Sequence, residues 1–276
     1  MPESKPSASP VTQIPDLIKD RRQLAGDDSF CFGCHSKLPC FTDCCADINI
    51  LLTPLDVLQL ARRANLTTGA FVQAHTLTPI TKDMQLPLKM LRMGDDEYKR
   101  CPFVTAEGCG VYEDRPWACR MYPLGMGLPP ARAGEEPEPV FFLFEDSFCK
   151  GHGEASSWTV TKWRDDQGVP AREEIEQGFR DLVSHPWFIG GTRQLDPKRI
   201  EMYDMACYDL DRFRAFIFES SFLNRFVLDE ALVQKLESDD VELLKFAFVW
   251  LRYALFGEPT MQPRAAAIDA RAEARG

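Results

Sequence analysis

Cysteines carry the chemistry that this sequence offers, because nine of the ten in the chain precede residue 150. Five of them occur in the run CFGCHSKLPCFTDCC, which covers residues 31–45. A deprotonated cysteine binds zinc directly and holds the iron atoms of iron–sulfur clusters. Such a dense group of cysteines therefore indicates a metal centre. The candidate metal ligands are Cys31, Cys34, Cys40, Cys44, Cys45, Cys101, Cys109, Cys119 and Cys149.

Two local arrangements in this run constrain how the sulfurs are used. Cys31 and Cys34 form a C-x-x-C hook, a spacing with which one tight turn directs two sulfurs at a single metal. Cys44 and Cys45 are adjacent, and neighbouring side chains of an extended segment point to opposite faces. The adjacent pair therefore either serves two different centres or lies on a sharp turn.

The number and spacing of the cysteines favour an iron–sulfur cluster, with the 4Fe–4S type first, over zinc. Nine thiolates can supply two four-thiolate centres with one left over, or one centre with additional thiols. A paired zinc site normally has two C-x-x-C hooks, whereas this chain has one and spreads its other candidates as far as Cys149. An iron–sulfur cluster is large enough to accept sulfurs from several segments, and zinc remains the alternative.

Other residues near the cysteines are candidates for supporting roles. Arg115 and Arg120 flank Cys119, and a four-thiolate centre is anionic, so both arginines are predicted to contact and stabilise the bound cofactor. Structural salt bridges are the alternative for both. His152 follows Cys149 at C-x-x-H spacing, and it is either a further ligand or an exposed loop residue.

The elements that must position these residues follow from local patterns. Thr53, Pro54 and Asp56 suit the N-cap, first and third positions of a helix that begins after the cysteine run. From about residue 154 the apolar spacing becomes helical, and Cys207 falls on an apolar stripe, which predicts a core residue. The segment 239–256 is apolar on most faces and is predicted to be the central buried helix of this half.

These patterns predict an α+β fold class. An irregular cysteine-rich metal-binding domain with a few short strands and helices precedes an all-α C-terminal half. The expected divisions are a flexible N-terminal arm at residues 1–27, the cysteine-cluster domain at 28–153, a helical domain at 154–257 and a disordered tail at 258–276.

Composition excludes several classes of function. The formal net charge of −10 over 276 residues argues against a nucleic-acid partner, which requires a basic face. No apolar run is long enough to span a bilayer, and the N-terminus lacks the pattern of a secretory signal. The expected location is therefore the cytoplasm, without membrane contact. Thiols stay reduced there, which favours metal binding over disulfides.

Short motifs follow one another in a defined order between residues 31 and 153. They are C-x-x-C from Cys31, CC at Cys44, LTPLD from Leu52, CPF from Cys101, CGVYEDRP from Cys109 and CRMYP from Cys119. In this order the chain resembles the YkgJ-type cysteine-cluster family, whose domain is described as zinc- or iron-chelating. The gap between hook and pair is longer here than usual in that family and contains Cys40. The family includes flagellin lysine methylases, so the resemblance also implies a protein-modifying activity as an alternative.

Three functions fit the sequence. The first is a protein that holds an iron–sulfur cluster or zinc for a redox, sensing or structural role. The second is a methylase-like enzyme with the cluster at its active site, and the third is a metal chaperone. A metal ion or cluster is the expected partner in each case, and the helical half could bind a protein partner. Nucleotide-binding and hydrolase motifs are absent from the sequence.

Overall fold

Short strands and single turns build the part of the chain that carries most cysteines, and longer helices build the rest. The computed structural model describes residues 21–79, 86–127, 139–188 and 194–265. The segments 1–20 and 266–276, which make up most of the predicted arm and tail, lie outside these ranges.

Ten short strands lie within the described ranges. They are β1 (Gln23–Leu24), β2 (Ser29–Cys31), β3 (Leu51–Leu52), β4 (Thr76–Leu77), β5 (Lys89–Leu91), β6 (Val104–Thr105), β7 (Gly108–Cys109), β8 (Leu124–Gly127), β9 (Val140–Leu143) and β10 (Ser157–Thr159). All pairings are antiparallel: β1-β9-β8 and β3-β5-β4 form three-stranded sheets, and β10-β2 and β6-β7 form two-stranded ones. Strands this short depend on packing for their stability.

The longest helices lie in the C-terminal half. In chain order the helices are α1 (Pro54–Arg63), α2 (Thr68–His75), α3 (Trp117–Met121), α4 (Val160–Asp166), α5 (Val169–Ile175), α6 (Gln177–Val183), α7 (Pro197–Tyr208), α8 (Leu210–Glu219), α9 (Phe222–Arg225), α10 (Glu230–Ser238) and α11 (Asp240–Phe256). Short strands and helices in the N-terminal region thus precede a helical C-terminal half, so the predicted fold class is confirmed. No helix in the described ranges has the length and apolar character that crossing a membrane would require.

Contacts between residues divide the chain into two compact units. The first, called the cysteine unit here, comprises Met1–Ile50 and Met93–Pro170. The second, called the helical unit, comprises Leu51–Arg92 and Ala171–Gly276. The linear domain boundaries expected from the motifs remain a prediction.

Aromatic side chains form the core of the cysteine unit. The Trp163 ring packs edge-on against Phe32, with centroids 5.5 Å apart, and against Trp158 at 5.2 Å. Both indole N–H groups are satisfied, since Trp163 donates to Met121 O at 3.2 Å and Trp158 to Phe32 O at 3.0 Å. Cys149 is packed against the same core. This rigid aromatic layer supports the loops that carry the cysteines.

The helical unit begins with the predicted helix start. Thr53 accepts a hydrogen bond from Asp56 N, the Asp56 carboxylate accepts one from Thr53 N, and Pro54 occupies the first helical position. The central helix α11 buries much of its surface, including Leu244 and Leu251, as its apolar character predicts. Cys207 lies in this core with 1% of its surface exposed, so its prediction as a core residue is also confirmed.

A buried charge cluster joins α1 to α5 inside the helical unit. Arg172 forms an ion pair with Asp56, whose side chain is 0% exposed, and donates a hydrogen bond to Gln59. Glu176 accepts a hydrogen bond from Leu55 N at 3.0 Å. Burial and the neighbouring Asp56 carboxylate raise the pKa of Glu176 from 4.5 to about 7.

The wild-type protein should lose stability as the pH rises and Glu176 ionises, and a Glu176→Gln substitution should abolish this loss. The folded-state pKa of Glu176 lies above the unfolded value, so its contribution is complete below pH 4.5 and is lost as the pH passes through about 7. Above pH 8 the variant should be more stable by about 3 kcal/mol, at 1.36 kcal/mol per pKa unit. Urea unfolding at pH 5 and pH 8 measures this difference, with the exposed Glu174→Gln as control. Equal pH profiles for wild type and Glu176→Gln would contradict it.

Candidate metal centre

The adjacent cysteines lie on a sharp turn, which is one of the two alternatives that their spacing allowed. Asp43–Cys45 forms a single 3-10 turn, preceded by Thr42 with a left-handed φ of 71°. The two side chains hydrogen-bond to each other: the Cys45 thiol lowers the pKa of Cys44 to about 7, and the same bond raises the pKa of Cys45. The pair thus shares one proton, and Cys44 is the first of the two to become a thiolate.

One set of thiols lies near Cys34 and is called the first thiol group. Partial burial, and then the charges of Cys44, Cys149 and Cys40, together raise the pKa of Cys34 to about 11. The N–H of Lys150 donates to the Cys40 sulfur at 3.1 Å. The first thiol group therefore comprises Cys34, Cys40, Cys44 and Cys149, and a backbone donor already contacts one of its sulfurs.

A backbone contact brings the two ends of the first thiol group together. Gly33 N donates to Gly151 O at 3.0 Å. A side chain could not replace the hydrogen at Gly151, because a Cβ there would lie 2.6 Å from Gly33 O. The glycine thus allows the loop after Cys149 to lie directly against the segment that carries Cys34.

The remaining thiols meet around Cys45 and form the second thiol group: Cys45, Cys101, Cys109 and Cys119. The hydrogen bond with Cys44 and burial raise the pKa of Cys45, and Cys101 and Cys119 add to this effect. Burial also raises the pKa of Cys101, and Cys109 contributes. Cys101 N donates to Cys45 O at 2.7 Å, which holds two of the segments together.

The turn after Cys101 is shaped to stabilise a thiolate. The backbone N–H groups of Phe103 and Val104 donate to the Cys101 sulfur and lower its pKa, opposing the effect of burial. Val104 also pairs with Cys109 across the β6-β7 hairpin. The C-P-F motif thus supplies amide donors to one sulfur and, through the hairpin, places a second cysteine close by.

Cys31 is exposed, as is Cys34. It lies on β2, opposite Ser157 of β10. In the described part of the chain, Cys31 is not among the thiols that shift the pKa of Cys34, Cys45 or Cys101. Its assignment as a ligand remains a prediction, as does that of each other cysteine.

Arg115 and Arg120 hold the short helix that carries Cys119. Arg115 donates to Tyr112 O and to the Gln167 side chain. Arg120 donates to Arg115 O at 3.0 Å, to Gln167 O at 2.9 Å and to a further carbonyl, that of Glu113. Both guanidinium groups therefore bind carbonyls near α3, and their contact with a cofactor remains a prediction.

Two residues near Cys149 bring polar atoms into the core. The His152 ring lies 5.3 Å from Phe32, and its Nε2 is buried without a hydrogen-bond partner in the described ranges. Burial raises the pKa of Tyr122, as does Cys149, which faces its hydroxyl. The sequence offered no sign of the Tyr122 position, because only the fold brings the C-R-M-Y-P motif to Cys149.

The donor set fits the metals that thiolates prefer. Thiolates select zinc and iron–sulfur clusters over magnesium and calcium, which take oxygen ligands. Within the described ranges, no three His, Cys, Asp or Glu side chains are arranged so that they could hold a metal ion. The structure thus brings thiols into neighbouring groups without closing a coordination sphere.

Comparison with known proteins identifies the segment that contains both groups. Residues 33–150 match the model of the CxxCxxCC family, described as "Putative zinc- or iron-chelating domain". No curated protein and no solved structure matches the chain. The match begins after Cys31 and includes all members of the two thiol groups. The family predicted from the motifs is thereby confirmed: over residues 33–150 the chain carries a domain of the CxxCxxCC family.

Proposed function

We propose that the protein binds metal at two four-thiolate centres, one at each thiol group, that meet at the Cys44–Cys45 pair. One observation carries this proposal: within the family match, one set of thiols acts on the pKa of Cys34 and another acts on the pKa values of Cys45 and Cys101, and Cys44 acts on both. Cys31 is the ninth thiol, left over from both sets. Its position before the matched segment supports this role.

An iron–sulfur cluster is the preferred occupant of each centre. Each group draws its sulfurs from separated segments, and a cluster accepts such sulfurs more readily than one zinc ion does. Backbone N–H groups donate to the sulfurs of Cys40 and Cys101, and such donors stabilise an anionic cluster and tune its potential. When bound, iron–sulfur clusters supply one-electron transfer, which supports a redox or sensing role.

The chain's own residues prepare the ligands and protect them. Cys44 ionises first, because the Cys45 thiol donates to it. Burial keeps Cys34 protonated in the absence of metal, so its proton must leave when a ligand bond forms. The aromatic core beneath Cys149 limits the access of water on one side of the first thiol group.

Metal analysis of protein purified without oxygen tests the proposal. Two 4Fe–4S centres require about eight irons and eight acid-labile sulfides per chain. Zinc without sulfide would contradict the iron–sulfur assignment, and half of this content would contradict two centres. The Cys31→Ser variant serves as the control and should keep the full content.

Metal loading is expected to release protons and to strengthen as the pH rises. The pKa values of Cys34, Cys45 and Cys101 are raised in the metal-free protein, so these groups hold protons that metal must displace. A competition titration with a chelator at pH 6.5 and pH 8.5 measures the effect. The apparent affinity should increase by tenfold or more for each proton released per unit of pH. An affinity independent of pH would contradict thiol ligation.

A further inference from the structure

A cavity of about 540 Å³ adjoins the second thiol group. Its lining includes Thr42, Asp96, Arg100, Cys101 and Thr105, and all of its walls belong to the cysteine unit. Small-molecule sites typically have volumes between about 300 and 1,000 Å³. The cavity is thus large enough for a small molecule and has a candidate metal ligand in its wall.

Arg100 is the cation of this cavity. Its side chain is exposed, and its guanidinium lies 5.3 Å from the centre of the Tyr98 ring. In the ranges that the structure describes, no carboxylate forms an ion pair with it. The nearby Asp96 carboxylate accepts a hydrogen bond from Tyr98 N at 2.8 Å. The guanidinium therefore keeps donors for a ligand.

Backbone contacts fix the wall that carries Arg100. Arg100 O accepts from Gly94 N at 2.8 Å, and Arg100 forms a β-bridge with Ala46. On one side of this bridge, Lys99 pairs with Asp47, with Nζ and Oδ1 2.9 Å apart. On the other side, Cys101 N donates to Cys45 O. The arginine backbone is thus tied directly to the Cys45 turn.

Left-handed backbone occurs in this wall at Thr42 and beside it at Asp47 and Lys99. Thr42, Asp47 and Lys99 have φ values of 71°, 47° and 47°, a left-handed region that residues other than glycine seldom adopt. Such conformations cluster at functional sites, where the surrounding structure maintains them. Together with the ladder of hydrogen bonds, they indicate a cavity shaped before any ligand arrives.

We propose that this cavity binds a small oxyanion, a carboxylate or a phosphate, through the Arg100 guanidinium and beside the metal centre of the second thiol group. The guanidinium presents parallel N–H donors that match two oxygens of one such group. Thr42 lines the same cavity, and its hydroxyl offers a further hydrogen bond, whereas the Thr105 hydroxyl already donates to Gly108 O. The position beside Cys101 rests on the proposed metal function, whereas the anion contact itself does not.

Calorimetric titration of the metal-loaded full-length chain tests the site. Succinate represents carboxylates and inorganic phosphate represents phosphates, so the two arms separate the possible sources. Binding of either probe should weaken roughly 10- to 100-fold in Arg100→Gln, the range for a lost charge-assisted hydrogen bond. Arg100→Lys should fall between wild type and Arg100→Gln, because it keeps the charge without the paired donors. Arg63→Gln changes an exposed arginine of the helical unit and should bind like wild type.

A second measurement uses the metal-free chain. The bound probe should slow the alkylation of Cys101, measured by peptide mass spectrometry, and leave exposed Cys31 unchanged. Absence of binding for both probes, or equal binding by Arg100→Gln and wild type, overturns the oxyanion site. Metal content separates the two proposals: an Arg100-dependent anion effect without metal loading would overturn the metal function alone.

Discussion

A Cys44→Ser substitution is expected to lower the metal content of both thiol groups. Cys44 affects the ionisation of Cys34 in the first group and of Cys45 and Cys101 in the second. It is also the thiol with the pKa lowered to about 7, so it is the thiolate most available to an incoming metal. Its loss removes a ligand from one group and the hydrogen-bond partner of Cys45 from the other.

The comparison with single-group variants makes this prediction specific. Cys34→Ser should reduce the metal content by about half, since it changes the first group alone, and Cys109→Ser should do the same through the second. Cys44→Ser should fall clearly below either variant. Iron, zinc and sulfide analysis of protein purified without oxygen measures the content of each. A Cys44→Ser protein that keeps as much metal as Cys34→Ser would show that the groups load independently of their shared pair.

Local patterns predicted much of this architecture. The Thr53-Pro54 helix start follows from residues adjacent in sequence, whose capping preferences do not depend on the fold. The apolar segment that became α11 and the core position of Cys207 follow from helical periodicity. The change from short irregular elements to long helices was visible for the same reason.

Contacts between distant segments were beyond such patterns. Spacing alone could not divide the cysteines, because the division depends on which loop approaches Cys44 and which approaches Cys45. The C-x-x-C spacing groups Cys31 with Cys34, and that grouping stays a prediction. What the spacing could not show is that β2 pairs the backbone of Cys31 with β10.

The arginines show the same limit on chemical grounds. Their positions beside Cys119 suggested either contact with an anionic centre or salt bridges. In the structure Arg115 and Arg120 bind backbone carbonyls and Gln167, which is far from them in sequence. The guanidinium satisfies carbonyl groups as well as charges, and sequence does not reveal where unsatisfied carbonyls lie.

The largest effect on folding is expected from Arg172→Met in the helical unit. Arg172 is the cation that pairs with the fully buried Asp56, and Glu176 adds a second carboxyl group to the same site. Methionine retains much of the volume but leaves both carboxyl groups without their partner. Removing one member of a buried ion pair typically costs about 3–5 kcal/mol, because a buried charge loses its compensation.

The pH dependence of this loss distinguishes charge from packing. Loss of the Arg172 charge should raise the folded-state pKa values of both carboxyl groups, so stability is lost progressively as the pH increases through them. Urea unfolding of the helices, followed by circular dichroism, should therefore show a larger defect at pH 8 than at pH 5.

Arg62→Met is the matched control, because its ion pair with Asp240 is partly exposed and should contribute at most about 1 kcal/mol. Adding Asp56→Asn and Glu176→Gln to Arg172→Met should recover most of the loss at pH 8. A defect that is equal at both pH values and persists in the triple variant would instead assign the role of Arg172 to packing.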